Sequence, residues 1–546
     1  MSDPKAAHSR PPVTRRWAWA ILLLLTAAQP SKYPGVFAAS ATASALQAEA
    51  SGDVGRKIVQ PLIAALPAPL AQAVRTGSNK QDLAPYLNAA LARGGAFDLG
   101  GFTYRIAGRL SPAPETRITG KGMFLADPAF DDRGKPDGLQ MMIRIVDGLH
   151  LGKGVVFDGN SIGRAGFWLT GARNTGSVSG AVLNATFRNL SFDGIDVSRN
   201  AGAWRNHKIN IGAKIENVGW IGANIEGVEG LVHDGLQVSR TGFHGIYVGH
   251  VHNVRGDGFS VDKSRPPYRV YDGPGSFGGR EKGFLFGHFS TSHARWTRFH
   301  LFDNRHAEYD GFGIGEDGLL ADEESTDIFA QGEIWYAGLF GFDVSSDMSA
   351  DIKVHYPARQ GVQFGLDLGG TLSNIKVKAV VEGNRADESA RFSATGAALR
   401  KVSMQAGSPV VTIMSAGDFT VVPGQFAIGG NLAPGTKVVS VSGERVTLDR
   451  PASKTYSAGK EANVTFRASI TFRNCLLDLQ ASKTRYGVGV ESDADGFTHY
   501  TNVRIVGDLS EASGSSIRRL NGPLPAGMII SAKLNSAGQA TEGGSP

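Results

Sequence analysis

The chain has one cysteine in 546 residues, Cys475, so no disulfide can form within it and its stability has to come from burial. It also lacks a comfortable membrane span. The apolar run from Trp17 to Ala28 covers twelve residues, where a spanning helix needs about 20. Nor is there a usable excess of one charge. The formal +6 sits largely in the first 39 residues, where Lys5, Arg10, Arg15, Arg16 and Lys32 oppose only Asp3. Overall basicity therefore gives no reason to expect a nucleic-acid partner. The acidic run Asp317–Asp327 lacks the regular oxygen-ligand spacing of an EF-hand and reads as a solvated turn. No cofactor is expected; assistance by a divalent cation is left open.

Glycine, by contrast, is plentiful, with 72 residues, and its placement is informative. Eight stretches repeat a glycine followed by an alternating apolar pair. They begin at Gly166, Gly194, Gly222, Gly245, Gly283, Gly311, Gly341 and Gly361, at spacings of 28, 28, 23, 38, 28, 30 and 20 residues. One strand phrase per period of that size predicts a solenoid whose unit cannot bury its apolar face alone. The two-residue period of a strand turns the first and third residues after each glycine inward and the second outward. The outward residues then form a ladder: Trp168, Asp196, Asn224, Tyr247, Leu285, Gly313, Asp343 and Gln363. Two positions further on, Glu226 neighbours Asp196 from the next coil, and Gly249, Gly287 and Gly315 would carve a trough beside Tyr247. The residue before each glycine gives a second stack that includes Asp193, His244, Lys282 and Asp310. A third, His250, His288 and Glu316, reads as turn residues rather than a metal site.

Residues 1–48 read as an export segment. Arg15-Arg16 precede the apolar run, and the small-residue stretches Ala41-Thr-Ala43 and Ala43-Ser-Ala45 offer cleavage sites. The mature protein is thus expected in the periplasm or outside the cell, without a stable membrane span. Residues 49–95 have helical spacing broken by prolines, and 96–401 read as the solenoid. Residues 402–467 carry short strand phrases joined by glycine turns, predicting a small inserted β module. The solenoid returns at 468–507, and 508–546 lose periodicity and read as a tail without order.

The alanine-rich helical segment is followed by Phe97-Asp-Leu-Gly-Gly-Phe-Thr-Tyr-Arg-Ile and Thr116-Arg-Ile-Thr-Gly-Lys-Gly-Met-Phe. This opening resembles that of right-handed parallel β-helix proteins of the pectin-lyase-like superfamily. The resemblance covers about residues 80–395 and 468–507, by the usual tolerance on element boundaries. It implies an all-β, single-stranded parallel β-helix with an N-terminal helical cap, and action on polysaccharides as lyase, hydrolase or epimerase. No catalytic motif carries over. The paired-aspartate and Gly-His-Gly phrases of polygalacturonase-like hydrolases are missing, as is the Asp-Pro-His-Asp phrase of periplasmic mannuronan epimerases.

The longest spacing holds a basic-aromatic segment with Lys263, Arg265, Tyr268, Arg269, Tyr271, Phe277, Arg280 and Lys282. Guanidinium groups grip carboxylates in a fork and aromatic faces cover planar or apolar ones, which suits an acidic glycan. Three readings follow. In a polysaccharide lyase, Arg265, Arg269, Arg280 or Lys282 neutralises a uronate, His244 or Tyr247 removes the adjacent proton, and Tyr247 or water protonates the leaving oxygen. In a glycoside hydrolase or transglycosylase, two carboxylates act, Asp196 with Glu226 or Asp310 with Asp343. In a binding or assembly protein, or a tailspike-like fibre, the same surface, with Asn224 and Gln363, holds glycan without cleaving it. Either a monomer or a trimer fits such a shape.

Overall fold

The computed structural model describes residues 59–131, 140–162, 168–197, 206–265, 284–303, 317–321, 325–337, 340–365, 370–383, 387–393, 397–415, 421–457, 459–493, 496–520, 522–536 and 541–543. The expected export segment, 1–48, lies outside these residues. Strands of successive coils pair in parallel in two long sheets of 22 and 13 strands. The fold is a right-handed parallel β-helix. Among the described residues, no helix is long and apolar enough to cross a membrane.

The 13-stranded sheet runs one strand per coil from Met141–Ile145 to Thr541–Gly543. The 22-stranded sheet begins with two short strands per coil. From Ser292–Phe302 onward the two fuse into one long strand, with a register shift at Thr297/Phe299 and a left-handed Arg298 at φ 53° marking the bend. Inside, like residues stack on like, as Phe124, Phe157 and Phe187 do at 5.0 and 5.2 Å. The helices Ala68–Arg75 and Ala84–Leu91 send Leu70, Val74, Leu87 and Leu91 into this same core.

The five phrase glycines among the described residues, Gly194, Gly222, Gly245, Gly341 and Gly361, are set by close approach rather than by flexibility. A Cβ on Gly194 would sit 2.3 Å from Ile215 Cγ2 and 2.6 Å from the Gly222 carbonyl oxygen. On Gly222 it would meet Val238 at 2.3 Å and the Gly245 oxygen at 2.5 Å. Each glycine lets the corner before the 13-stranded sheet close over a β-branched core residue. The interior also holds polar side chains, His233 among them. His233 is fully buried against Phe259 and Trp296, with neither ring nitrogen bonded, and burial pushes its pKa down to about 3. A Cβ on Gly256 would lie 2.4 Å from that imidazole, so the glycine makes its room.

Three phrases are displaced from their expected register. The strand beside Asp196 is Thr170–Asn174, so Arg173 rather than Trp168 is its neighbour. Tyr247 pairs with Gly287 rather than Leu285, which is buried in the core. The next strand is Asp317–Ala321, which puts Leu320 beside Gly287; Gly311 and Gly313 lie outside the described residues. The excursion between neighbouring coils varies in length, and nothing in the phrase records where it ends. His288 points inward beside Val248 and bonds Ser325, so it does not stack with His250.

The chain leaves the coil after Glu388–Phe392 for a six-stranded antiparallel sheet with its own core, including Val402, Val411, Val464 and Phe466. It returns so that Gly370–Glu382 pairs directly with Ile470–Ser482, leaving the coil stack unbroken. Among the described residues beyond 508, strands stand where a tail without order was expected. Ile517–Leu520 pairs with Tyr486–Glu491, and Met528–Ile530 with Thr498–Glu511. Short, uneven coils hide their period there.

Candidate functional site

The outward column of the 13-stranded sheet starts Arg144, Arg173, Asp196, Asn224, Tyr247, each opposite the next. Arg173 Nε lies 3.1 Å from Asp196 Oδ2, and Asn224 Nδ2 donates to Asp196 Oδ1 at 3.3 Å. Just before the same strand, Asp193 accepts the Ile221 N–H at 3.0 Å. Asp193 and Asp196 are each 2% exposed. Burial, reinforced by the negative charge of Asp196, holds the Asp193 carboxyl well above the usual carboxylate range; the Ile221 N–H and Arg173 pull the other way. Two acids share one arginine, and only one of them has it as an ion-pair partner. The two carboxyls therefore stand in unlike surroundings: Asp193 is held toward its protonated form, while Asp196 meets a guanidinium and an amide donor.

Beside this pair a stack of rings lines the corner. Trp220 lies 6.4 Å from Phe192 and 4.3 Å from Phe243, and His244 continues the stack 3.7 Å from Phe284. His244 Nδ1 accepts the Phe284 N–H at 3.2 Å. Burial and then the Lys263 ammonium push its pKa well below the usual imidazole range. A neutral ring that accepts at Nδ1 carries its proton on Nε2, so His244 presents a donor and not the base that elimination needs. Lys263, from the basic segment, is turned inward, with Nζ donating to the Phe243 carbonyl. The glycine trough is filled by protein at its two described positions; Gly315 lies outside the described residues. A Cβ on Gly249 would meet the Tyr247 ring at 2.8 Å, and one on Gly287 the Phe284 ring at 2.5 Å.

Of the remaining candidates, Glu226 pairs with Gly249, diagonal to Asn224. Asp343 and Gln363 are neighbours several coils away from Asp196. Arg265 is exposed. Lys282, Asp310, Tyr268, Arg269 and Arg280 lie outside the described residues. Asp193 and Arg173 carry the electrostatics; the sequence places Asp193 in the stack before the glycines without a role, and no phrase singles out Arg173. The aromatic residue two places before three of the phrase glycines, Phe192, Trp220 and Phe243, was the sequence signal for this corner.

The late end of the same face is different. Glu388, fully buried, takes a two-pronged bond from Arg391 at 2.8 and 2.9 Å, one from Arg518 at 2.9 Å and one from Gln360 at 3.0 Å. A Cβ on Gly489 would fall 2.9 Å from its carboxylate, so that glycine gives the side chain its path. Among the described residues, no group of three or more His, Cys, Asp or Glu is placed to hold a metal ion.

No protein-family model and no curated protein sequence matches the chain. Solved structures do. The A-module of the Azotobacter vinelandii mannuronan C-5 epimerase AlgE6 is similar at 12% identity, over 83% of this chain and 95% of that one, with a TM-score of 0.42. The N-terminal fragment of bacteriophage phi29 gene product 12 matches at 11% identity, over 82% and 68%, with a TM-score of 0.38. A tailspike protein of E. coli bacteriophage HK620 matches at 10% identity, over 71% and 90%, with a TM-score of 0.32. These superpositions are loose. The fold rests on the strand register itself, and no residue role is taken from them.

Proposed function

We propose that this protein is exported and acts on a polysaccharide that lies across the outer face of the 13-stranded sheet, near Arg173, Asp196, Asn224 and Tyr247. The carrying observation is the buried pair Asp193 and Asp196: burial and the neighbouring charge hold the Asp193 carboxyl well above the usual range, while Asp196 meets Arg173 and the Asn224 amide. In the hydrolytic reading Asp193 gives its proton to the glycosidic oxygen as the bond to the anomeric carbon breaks. Asp196 is the ionised partner, which takes a proton from the water that adds to that carbon or attacks the carbon itself. Arg173 keeps Asp196 charged, and Asn224 orients it. Because both acids are almost fully buried, substrate reaches them only when a neighbouring side chain is displaced. This reading is favoured over β-elimination because the accepting Nδ1 of His244 leaves that ring without a basic nitrogen towards substrate.

The test is incubation of the purified protein with alginate, pectate, hyaluronan and a neutral galactomannan, followed by mass analysis of the products. Hydrolysis adds one water per cleaved bond. Ends that are unsaturated and absorb in the ultraviolet would return the assignment to elimination. Neither binding nor change with any of the four would sink the polysaccharide reading.

A further inference from the structure

Where the 22-stranded sheet ends, each coil turns a corner, and the corner residues stand in register. One column runs Arg188, Glu216, Ser239, Asp262, Phe302, Trp335, His355, Glu382, Ser482. The next residue on each coil takes a left-handed backbone at many of these corners. The first of these coils put Asn189 and Asn217 there, at φ 55° and 60°, with Asn217 Nδ2 donating to Asn189 Oδ1 at 2.7 Å, and the next puts Arg240 there at φ 55°. Asparagine tolerates this conformation and bonds its copy on the next coil. Late coils put Tyr336, Tyr356 and Lys483 at φ 58°, 54° and 58°. Large side chains are strained in that region, and strain of this kind collects where a side chain serves a purpose.

The late side chains form one cluster. Trp335 and His355 stack at 3.9 Å, and Tyr336 and Tyr356 at 5.3 Å. Glu382 is reached by three donors: Lys483 Nζ at 2.5 Å, His355 Nδ1 at 3.4 Å and the Tyr356 hydroxyl. The Lys483 ammonium first, then His355 and Tyr356, lower the Glu382 pKa against the effect of burial and hold the carboxylate ionised. The Lys483 side chain is 64% exposed and that of Glu382 25%, so both are open to a ligand. Between Tyr356 and Lys483 the intervening coil supplies Gly383, which has no side chain. One face of Tyr356 is taken by Tyr336, and its hydroxyl reaches Glu382 on the next coil, the carboxylate that Lys483 also meets.

We propose that this corner is a saccharide subsite, which takes one sugar ring of an acidic glycan between the Tyr356 face and the Lys483 stem. A ring hydroxyl bonds Glu382, and the Lys483 ammonium meets a uronate carboxylate. The inference rests on the polysaccharide reading above. The corner lies five coil steps, about 24 Å, along the axis from the coil of Tyr247. One glycan of several units therefore spans both places, and short fragments occupy the Asp196 end alone.

Calorimetric titration with alginate and pectate, as polymer and as size-fractionated short oligosaccharides, tests it on Tyr356→Asn and Lys483→Asn. Asparagine is the residue that the first of these coils place at this φ, so both variants should fold, and thermal unfolding checks that. Each is expected to weaken polymer binding about tenfold, the worth of one lost ring contact or charge-assisted bond, and to leave short fragments unaffected. Lys353→Ala, which removes a surface ion pair on the same sheet, should bind as the parent does. Polymer binding equal to the parent in both asparagine variants overturns the subsite, provided Asn224→Ala and Tyr247→Ala still weaken binding. A parent that binds neither polymer overturns the polysaccharide reading and this inference with it.

Discussion

The two ends of one outer face carry the same ingredients in opposite proportion. At the early end two acids, Asp193 and Asp196, share one arginine, Arg173. At the late end one acid, Glu388, is shared by Arg391 and Arg518. Both are deep in the protein, so exposure does not distinguish them. The difference lies in how much of the charge is satisfied. A buried carboxylate with every lone pair engaged is a fastening. A buried carboxyl forced to keep its proton next to an ionised partner is a reagent, and it costs stability to hold.

The sharpest way to break this contrast is Asp193→Asn. The amide keeps the shape and can still accept the Ile221 N–H, but it has no acidic proton to deliver. Turnover on the responding glycan should fall about 10²–10⁴-fold, the usual contribution of a general acid. Binding should change little. Undiminished turnover would make Asp193 a fastening like Glu388. At the other end, Glu388→Ala should lower unfolding stability by about 3–5 kcal/mol, because two arginines and Gln360 lose their shared acceptor while still buried. Chemical denaturation of the two variants side by side measures the comparison. Equal losses would erase it.

Much of this arrangement was legible in the sequence. The alternation in Ile195-Asp196-Val197 and Ile246-Tyr247-Val248 gives the outward parity directly, and Asp196, Asn224 and Tyr247 do stand on adjacent strands. Three of the phrases failed for a physical reason. The chain between coils varies in length, so the partners along this column are Gly287 and Leu320 rather than the residues the Gly283 and Gly311 phrases assign, and Arg173 was hidden behind the apparent phrase at Gly166. The trough was illegible because a glycine marks room without saying what fills it; here Tyr247 and Phe284 do. The inward turn of Lys263 depends on a carbonyl 20 residues away, that of Phe243. Pattern along the chain carries no trace of it.

Acid titration sharpens the comparison through opposite slopes. Asp193 has its pKa raised on folding, so the native state holds more protons than the unfolded chain once the pH passes the ordinary carboxylate value. Its contribution to stability is present below that value and is lost as the pH rises toward its native one. Asp193→Asn should remove that downward slope. The interior histidines act in reverse. His233 and His288 are pushed down to about 3 by burial, from an unfolded value near 6.5. Below that value the unfolded chain binds protons that the native state refuses. Each histidine should therefore cost about 1.4 kcal/mol of stability per pH unit as the pH falls from about 6.5 toward 3. Denaturation midpoints over pH 3–7 for the parent, His233→Leu and Asp193→Asn separate the two. Because the two slopes oppose each other, the differences from the parent decide: a variant whose pH dependence matches the parent's would show that the group it lacks is not buried as described.

The smallest effect is expected where pairing is plainest. Lys353 Nζ sits 2.9 Å from Glu333 Oε1 on the outer face of the 22-stranded sheet, with the lysine side chain 56% exposed. Its distance is as short as those around Glu388. Water and salt screen such a pair, and holding two long side chains together costs the rotamer freedom that the attraction returns. Lys353→Ala should leave the unfolding midpoint unmoved within error, at low and at high salt alike. If it instead destabilised as Glu388→Ala does, distance alone would govern these bonds, and the contrast between a satisfied and an unsatisfied buried carboxylate would lose its meaning. If it is neutral, desolvation is what gives both ends of the second sheet their force, one toward stability and the other toward chemistry.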